Sequence, residues 1–193
     1  SGIAIAANDQ DALQPALEEA MSEGIPVISL DSAVNKDSRK THIQQADPEK
    51  IGRGLIQAAY DMVDGEGGIA ILSATAQATN QNLWIEWMKK ELDENPDKYA
   101  KTPLVKVAYG DDDPTKSTSE TQALLQNPEV KVIIAPTTVG MLAAGKVLQD
   151  KNSDVLLTGL GLPSEMAPFI EDGTCPWMYL WNPVEIGSLA AYT

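Results

Sequence analysis

The chain has 193 residues, 43% of them hydrophobic, and a formal charge of −14 at pH 7. That charge largely rules out a nucleic-acid binder, which needs a basic patch for the phosphates, and disfavours an anionic membrane surface as partner. One cysteine and one histidine exclude an intrachain disulfide, a cysteine-based metal site and a multi-histidine metal site, and leave His42 as the sole route to a Ser-His-Asp triad.

The chain opens inside an apolar run, Ile3 to Ala7, that reads as a strand. Asp9 offers an N-cap for a helix carrying Leu13, Ala16, Leu17, Ala20 and Met21 and ending at Gly24. Val27 to Leu30 is the next strand, stopping at Asp31. After a polar loop, Thr41 to Gln45 reads as a short extended connector. Asp47-Pro48-Glu49 starts a helix, with proline at its favoured first-turn position, that runs to near Gly65. Ile69 to Leu72 is a buried strand, Ser73 to Thr79 a small-residue loop, and the following helix holds Leu83, Trp84, Trp87, Met88 and Leu92. A strand at Leu104 to Tyr109 leads to a helix opened by Asp111-Asp112-Asp113-Pro114. The strand Val130 to Ala135 ends at Pro136-Thr137-Thr138 and precedes a helix over Met141 to Leu148. Val155 to Leu160 is a strand, Glu165 to Glu171 a short helix, Trp177 to Trp181 a last strand, and a helix begins at Val184. No apolar run approaches the ~18–20 residues of a membrane-spanning helix, and no signal peptide is visible in the sequence.

Continuous apolar strands alternating with helices predict parallel sheets covered on both faces, and such sheets bind ligands at the C-terminal ends of their strands. The pattern is compatible with a single sheet, but two lobes fit it better, because Thr41–Gln45 lacks the look of a hairpin.

The candidate site residues sit at those strand ends. Asp31 either accepts hydrogen bonds from two sugar hydroxyls or caps a loop. Asn80 and Gln81, in the run Thr79-Asn80-Gln81-Asn82, donate and accept at once and so match neutral polyols better than ions; the competing reading makes Asn80 an N-cap. Pro136 and Thr138 end an apolar strand, where they either face a ligand or form a strand-to-helix turn. Trp181 either stacks its indole on the C–H face of a sugar ring or packs in the core. Asp111-Asp112-Asp113 lacks the glycine and bidentate glutamate of a calcium loop and reads as a helix N-terminus. His42 has no Ser or acid arranged around it for nucleophilic work. Gly159-Leu160-Gly161 is too short for the dinucleotide fingerprint, and no Walker sequence, acid–base pair or metal cluster is present. No cofactor, metal or catalytic residue is expected.

The segments IAIAANDQDAL (3–13), GIPVISLDS (24–32), GGIAILSATAQATNQNLW (67–84), VKVIIAPTTVGMLAA (130–144) and LWNPVEIGSLAAY (180–192) together resemble the type 1 periplasmic sugar-binding proteins of bacterial ABC importers. The branch they look closest to includes rhamnose-binding and autoinducer-2-binding proteins. The resemblance implies an α/β fold of two doubly wound parallel-sheet lobes with sugar held between them, closure by a hinge, and docking on an ABC transporter permease. It implies a periplasmic location and a first lobe incomplete in this chain. That partial lobe is 1–45 with 182–193, and the second is 46–181. The exposed sheet edge of the partial lobe predicts poor order or self-association. Asp31, Asn80, Gln81, Pro136, Thr138 and Trp181 match ligand-contacting positions. Asn80 stands where autoinducer-2 binders have Asp, and Thr138 where they commonly have Ala, which favours a rhamnose-like deoxy-sugar. Autoinducer-2 binding and the effector domain of a LacI-type transcription regulator are the alternative functions.

Overall fold

The computed structural model describes residues 1–193, with seven strands and seven helices. They group into two units. One comprises 1–48, 77–83 and 181–193; the other comprises 49–76 and 84–180.

The first unit holds a three-stranded parallel sheet of β1 (Ile3–Ile5), β2 (Val27–Leu30) and β3 (Thr41–Ile43), in that order. Ile3 lies opposite Val27, and Ile28 opposite Thr41. The helix α1 (Gln14–Ser22) crosses between β1 and β2, and its buried Leu17 joins Ala7, Val27 and Val34 in a small core. This helix starts later than its sequence pattern predicts. The Asp9 carboxylate accepts from the backbone N–H groups of Asp11 and Ala12, at 2.9 and 3.0 Å, which makes a turn ahead of the helix. Pro15 then sets the first helical turn. Thr41–Ile43, expected as a connector, is instead the third strand. Its central His42 Nδ1 lies 2.8 Å from Ser29 Oγ on β2, so a polar side-chain pair supports strand pairing where hydrophobicity does not.

The second unit is built on a four-stranded parallel sheet, β4 (Gly68–Ser73), β5 (Leu104–Tyr109), β6 (Val130–Ala135) and β7 (Leu156–Gly159), in the order β5-β4-β6-β7. Every residue of β4 is buried, as a central strand covered on both faces requires. Its helices are α2 (Pro48–Met62, of which 49–62 belong here), α3 (Thr79–Glu94, of which 84–94 belong here), α4 (Pro114–Leu124), α5 (Thr138–Asp150) and α6 (Pro163–Glu171). The core under α4 to α6 includes Leu72, Leu124, Ile133, Met141, Leu148, Met166 and Phe169. On α2, Gly52 admits α3 at close range: a Cβ there would fall 2.5 Å from both the Trp84 carbonyl oxygen and Trp87 Cβ. Beside it Arg53 reaches Glu91 and Glu94 of α3 at 2.5 and 2.6 Å and lies 5.2 Å from the centre of the Trp87 ring. Gly159 has φ +152°, and a Cβ there would sit 2.0 Å from the Ala135 carbonyl oxygen, so this glycine serves the close approach of β7 to β6.

Trp177–Trp181, expected as a last strand, forms a single parallel bridge, Leu160 to Tyr179. The Trp177 carbonyl accepts from the Thr158 hydroxyl at 3.0 Å and the Cys175 thiol at 3.4 Å. Side chains thus take an acceptor that a strand ladder would use. The seventh helix, α7 (Pro183–Tyr192), packs on β2 and β3 of the first unit and exposes Val184, Leu189 and Tyr192. No helix is long and apolar enough to cross a membrane.

Candidate functional site

In the first unit the site forms where the apolar run of β2 stops. Asp31 adopts φ 57°, a left-handed conformation that Asp tolerates better than most residues. Its N–H donates to the Ile43 carbonyl at 3.1 Å, which ties the turn to β3. The first turn of α3 meets this turn. Asn80 Nδ2 donates to Asp31 Oδ2 at 3.4 Å, and Asn80 Oδ1 accepts from the Gln81 N–H at 2.7 Å. Asn80 is 9% and Gln81 7% exposed, so both amides are largely withdrawn from water, where a hydrogen bond counts for more. Asp31 itself is half-buried. Thr79 completes the cluster: its hydroxyl accepts from the Ala33 N–H at 3.0 Å, donates to the Ala33 carbonyl at 3.2 Å, and lies 3.4 Å from Ser32 Oγ. One acid and two amides therefore stand together, a mixture of donors and acceptors suited to hydroxyl groups.

Trp181 belongs to the same unit and is half-buried. It precedes Asn182, whose carboxamide oxygen caps α7 by accepting from Val184 N at 3.0 Å. The proline at the first position and the Asn cap set where α7 begins and hence where Trp181 is held.

In the second unit Pro136 and Thr138 follow β6, beside β4, where the strand order of the sheet reverses. Open parallel sheets collect ligands at such a point. Pro136 is buried and Thr138, the first residue of α5, is exposed. The N-cap position is Thr137, yet its hydroxyl does not cap α5. It donates to Asp112 Oδ1 at 2.5 Å. Asp112 and Asp111 have φ 52° and 54°, and Asp111 pairs with Lys116. Asp113 caps α4, its Oδ1 accepting from Lys116 N at 2.6 Å. The acidic triplet thus divides its work: one member caps a helix, and another holds the turn carrying Pro136 and Thr138.

Sequence reasoning names Asp31, Asn80 and Gln81, which the fold brings together. It assigns no site role to Thr79, and it reads Asp112 only as part of the acidic N-terminus of a helix. The available signal for each is a polar residue directly beside a named one, but the partners lie 46 and 25 positions away.

Elsewhere His42 has its pKa lowered, first by burial and then by the Arg39 charge, against opposing hydrogen bonds with Gln44 and Ser29. Burial pushes the Cys175 thiol up to about 11. No group of three or more His, Cys, Asp or Glu side chains is placed to hold a metal ion. A groove of about 440 Å³ between α4 and α5, lined by Pro114, Val139, Leu142 and Lys146 among others, includes none of the six residues named from sequence.

Residues 1–193 match the family described as periplasmic binding protein domain, a family of binding domains. An ABC transporter solute-binding protein from Clostridium phytofermentas, with bound L-rhamnose, is 53% identical over 98% of this chain, with a TM-score of 0.93. A sugar ABC transporter protein from Actinomyces odontolyticus is 44% identical over 100% of the chain, with a TM-score of 0.73. A solute-binding protein from Burkholderia graminis, in complex with D-arabinose, is 27% identical over 98%, with a TM-score of 0.85. The chain spans 60%, 62% and 66% of the lengths of these three structures.

Proposed function

We propose that this chain, which belongs to the periplasmic binding protein domain family, is part of the solute-binding component of an ABC importer for a neutral sugar, foremost a rhamnose-like deoxy-sugar. The observation that carries the reading is the cluster of one half-buried carboxylate and two buried carboxamides at a strand end, Asp31, Asn80 and Gln81. It occurs in a chain 53% identical to a solute-binding protein that holds L-rhamnose.

The chemistry follows from the residue types. The Asp31 carboxylate accepts from two sugar hydroxyls and is a stronger acceptor than a neutral group. The amides of Asn80 and Gln81 donate and accept to further hydroxyls. Trp181 offers an apolar face to ring C–H groups. Pro136 and Thr138 are the ligand contacts we assign to the second unit. A sugar loses its hydration shell on binding, so each hydroxyl needs a replacement partner, and amides supply both polarities without a net charge. The protein performs no chemistry on the sugar. We assign the lobes as 1–45 with 182–193, and 46–181; residues 46–48, 77–83 and 181, which group with the first compact unit, fall in the second lobe on this assignment. The protein works in the periplasm, hands its sugar to a membrane permease, and self-associates when its first lobe is present only in part.

Titration calorimetry on the full-length protein tests this. L-rhamnose gives heat, and autoinducer-2 gives none. The absence of heat with L-rhamnose and with every related sugar refutes the reading, and heat with autoinducer-2 alone replaces it.

A further inference from the structure

The Thr79 hydroxyl spans both peptide groups of one residue. It accepts the Ala33 N–H at 3.0 Å and donates to the Ala33 carbonyl at 3.2 Å, with Ser32 Oγ at 3.4 Å as a third neighbour. A single atom that both donates and accepts is a hydroxyl property; a carboxylate only accepts and a methyl does neither. We infer that Thr79 is the positioning residue of the sugar site, a latch that holds the Asp31 carboxylate and the Asn80 amide within reach of one another. This rests on the sugar-binding reading above and deepens it.

The geometry supports the assignment in three ways. First, the pairing is staggered. Thr79 meets Ala33 and the next residue, Asn80, meets Asp31. Two attachment points on either side of Ser32 set the register of the α3 tip along the turn after β2. Second, the Asn80–Asp31 contact at 3.4 Å is long for a hydrogen bond of this kind, whereas the Thr79 contact to Ala33 N is of ordinary length. The shorter bonds do the holding, and the longer one is left to respond to ligand. Third, Asp31 is left-handed at φ 57°, a turn conformation that Asp accepts and that its neighbours must hold in place to aim the carboxylate. Ala33, two residues on, is fixed through both its N–H and its carbonyl. A sugar therefore meets a carboxylate and an amide already in place, and does not have to order them at the expense of affinity.

The test compares Thr79→Val, which keeps the shape and loses the hydroxyl, with Thr79→Ser, which keeps the hydroxyl. Both are made in the full-length protein, and Thr79→Ala stands in if the valine variant does not fold. Hydrogen exchange of the ligand-free protein is the first readout. The amides of residues 31–34 exchange about tenfold faster in Thr79→Val, the scale of one lost buried hydrogen bond, and keep the parent rate in Thr79→Ser. Calorimetry with L-rhamnose is the second. Thr79→Val binds about tenfold more weakly, and Thr79→Ser binds within about twofold of the parent. Rescue by serine separates positioning from packing, since serine lacks the methyl. Unchanged exchange in Thr79→Val overturns the latch whether or not sugar binds. Undiminished sugar affinity in Thr79→Val, or a serine variant that behaves like valine, overturns the positioning role. Faster exchange in a protein whose parent form gives no heat with L-rhamnose leaves the latch standing and removes the sugar reading.

Discussion

Placing a methyl group at Gly52 presses it against α3. The new Cβ lies 2.5 Å from the Trp84 carbonyl oxygen, 2.5 Å from Trp87 Cβ and 3.0 Å from Met88 N, where carbon contacts settle at ~3.5–4.0 Å. None of these atoms is the free end of a flexible side chain, so no rotamer change relieves the overlap. The two helices must move apart by about 1 Å, the difference between the built distance and an ordinary contact, and that loosens the packing of Leu55, Ile56, Trp84 and Met88, all under 2% exposed. Overpacking of this kind costs ~1–3 kcal/mol, and backbone atoms as obstacles put it at the upper end. Alanine recovers ~1 kcal/mol over glycine within a helix, so Gly52→Ala loses about 2 kcal/mol net. Gly54 on the same helix supplies the control, since a Cβ there meets nothing within 4 Å. Gly54→Ala therefore gains ~0.5–1 kcal/mol. Urea unfolding of both variants beside the parent reads the two values. Shifts of the same sign at both positions, or an unchanged midpoint for Gly52→Ala, refute the close-approach argument.

Further predictions concern the site and its sheet. Asp31→Ala removes the carboxylate that pairs with Asn80 and weakens sugar binding by about a hundredfold, the scale of a lost hydrogen bond to a charged group; calorimetric affinity within tenfold of the parent removes Asp31 from the ligand contacts. His42 binds its proton less tightly in the folded protein than its ordinary value of 6.5. Its contribution to stability is therefore complete above that value and is lost as pH falls below it. His42→Gln accordingly loses less melting temperature than the parent between pH 7.5 and pH 5.0, and superimposable pH profiles contradict this.

The parts of the fold that the sequence makes legible are those where burial alone decides the outcome. Gly68–Ser73 and Val130–Ala135 are almost wholly buried, and an unbroken apolar run of four residues between helical patterns, Ile69–Leu72 in one and Val132–Ala135 in the other, is too short for a buried helix and fits a central strand. Thr41–Ile43 is different: only Ile43 is buried, and the Ser29–His42 hydrogen bond that supports the pairing joins residues 13 apart. Trp177–Trp181 misleads in the opposite sense. Its residues are aromatic and apolar, yet Trp177, Tyr179 and Leu180 are each 40% or more exposed, so hydrophobicity there does not report a strand. The same division runs through the candidate site. A lone acid closing the apolar strand Val27–Leu30 draws attention to Asp31, and three successive amides draw it to Asn80 and Gln81. Thr79 reads as the last residue of a small-residue loop until Ala33 is beside it, because what distinguishes it is a backbone partner that no side-chain pattern encodes.

Both sheets contain parallel pairings only. No strand therefore has a partner that a short turn could deliver, and each pairing must wait for the chain between to close a loop. A protein built this way acquires its sheets late and slowly. The newly made chain stays extended and unpaired for longer than one built of hairpins, which keeps it threadable. The same delay leaves its buried strands exposed, so refolding from denaturant gives its best yield when dilute.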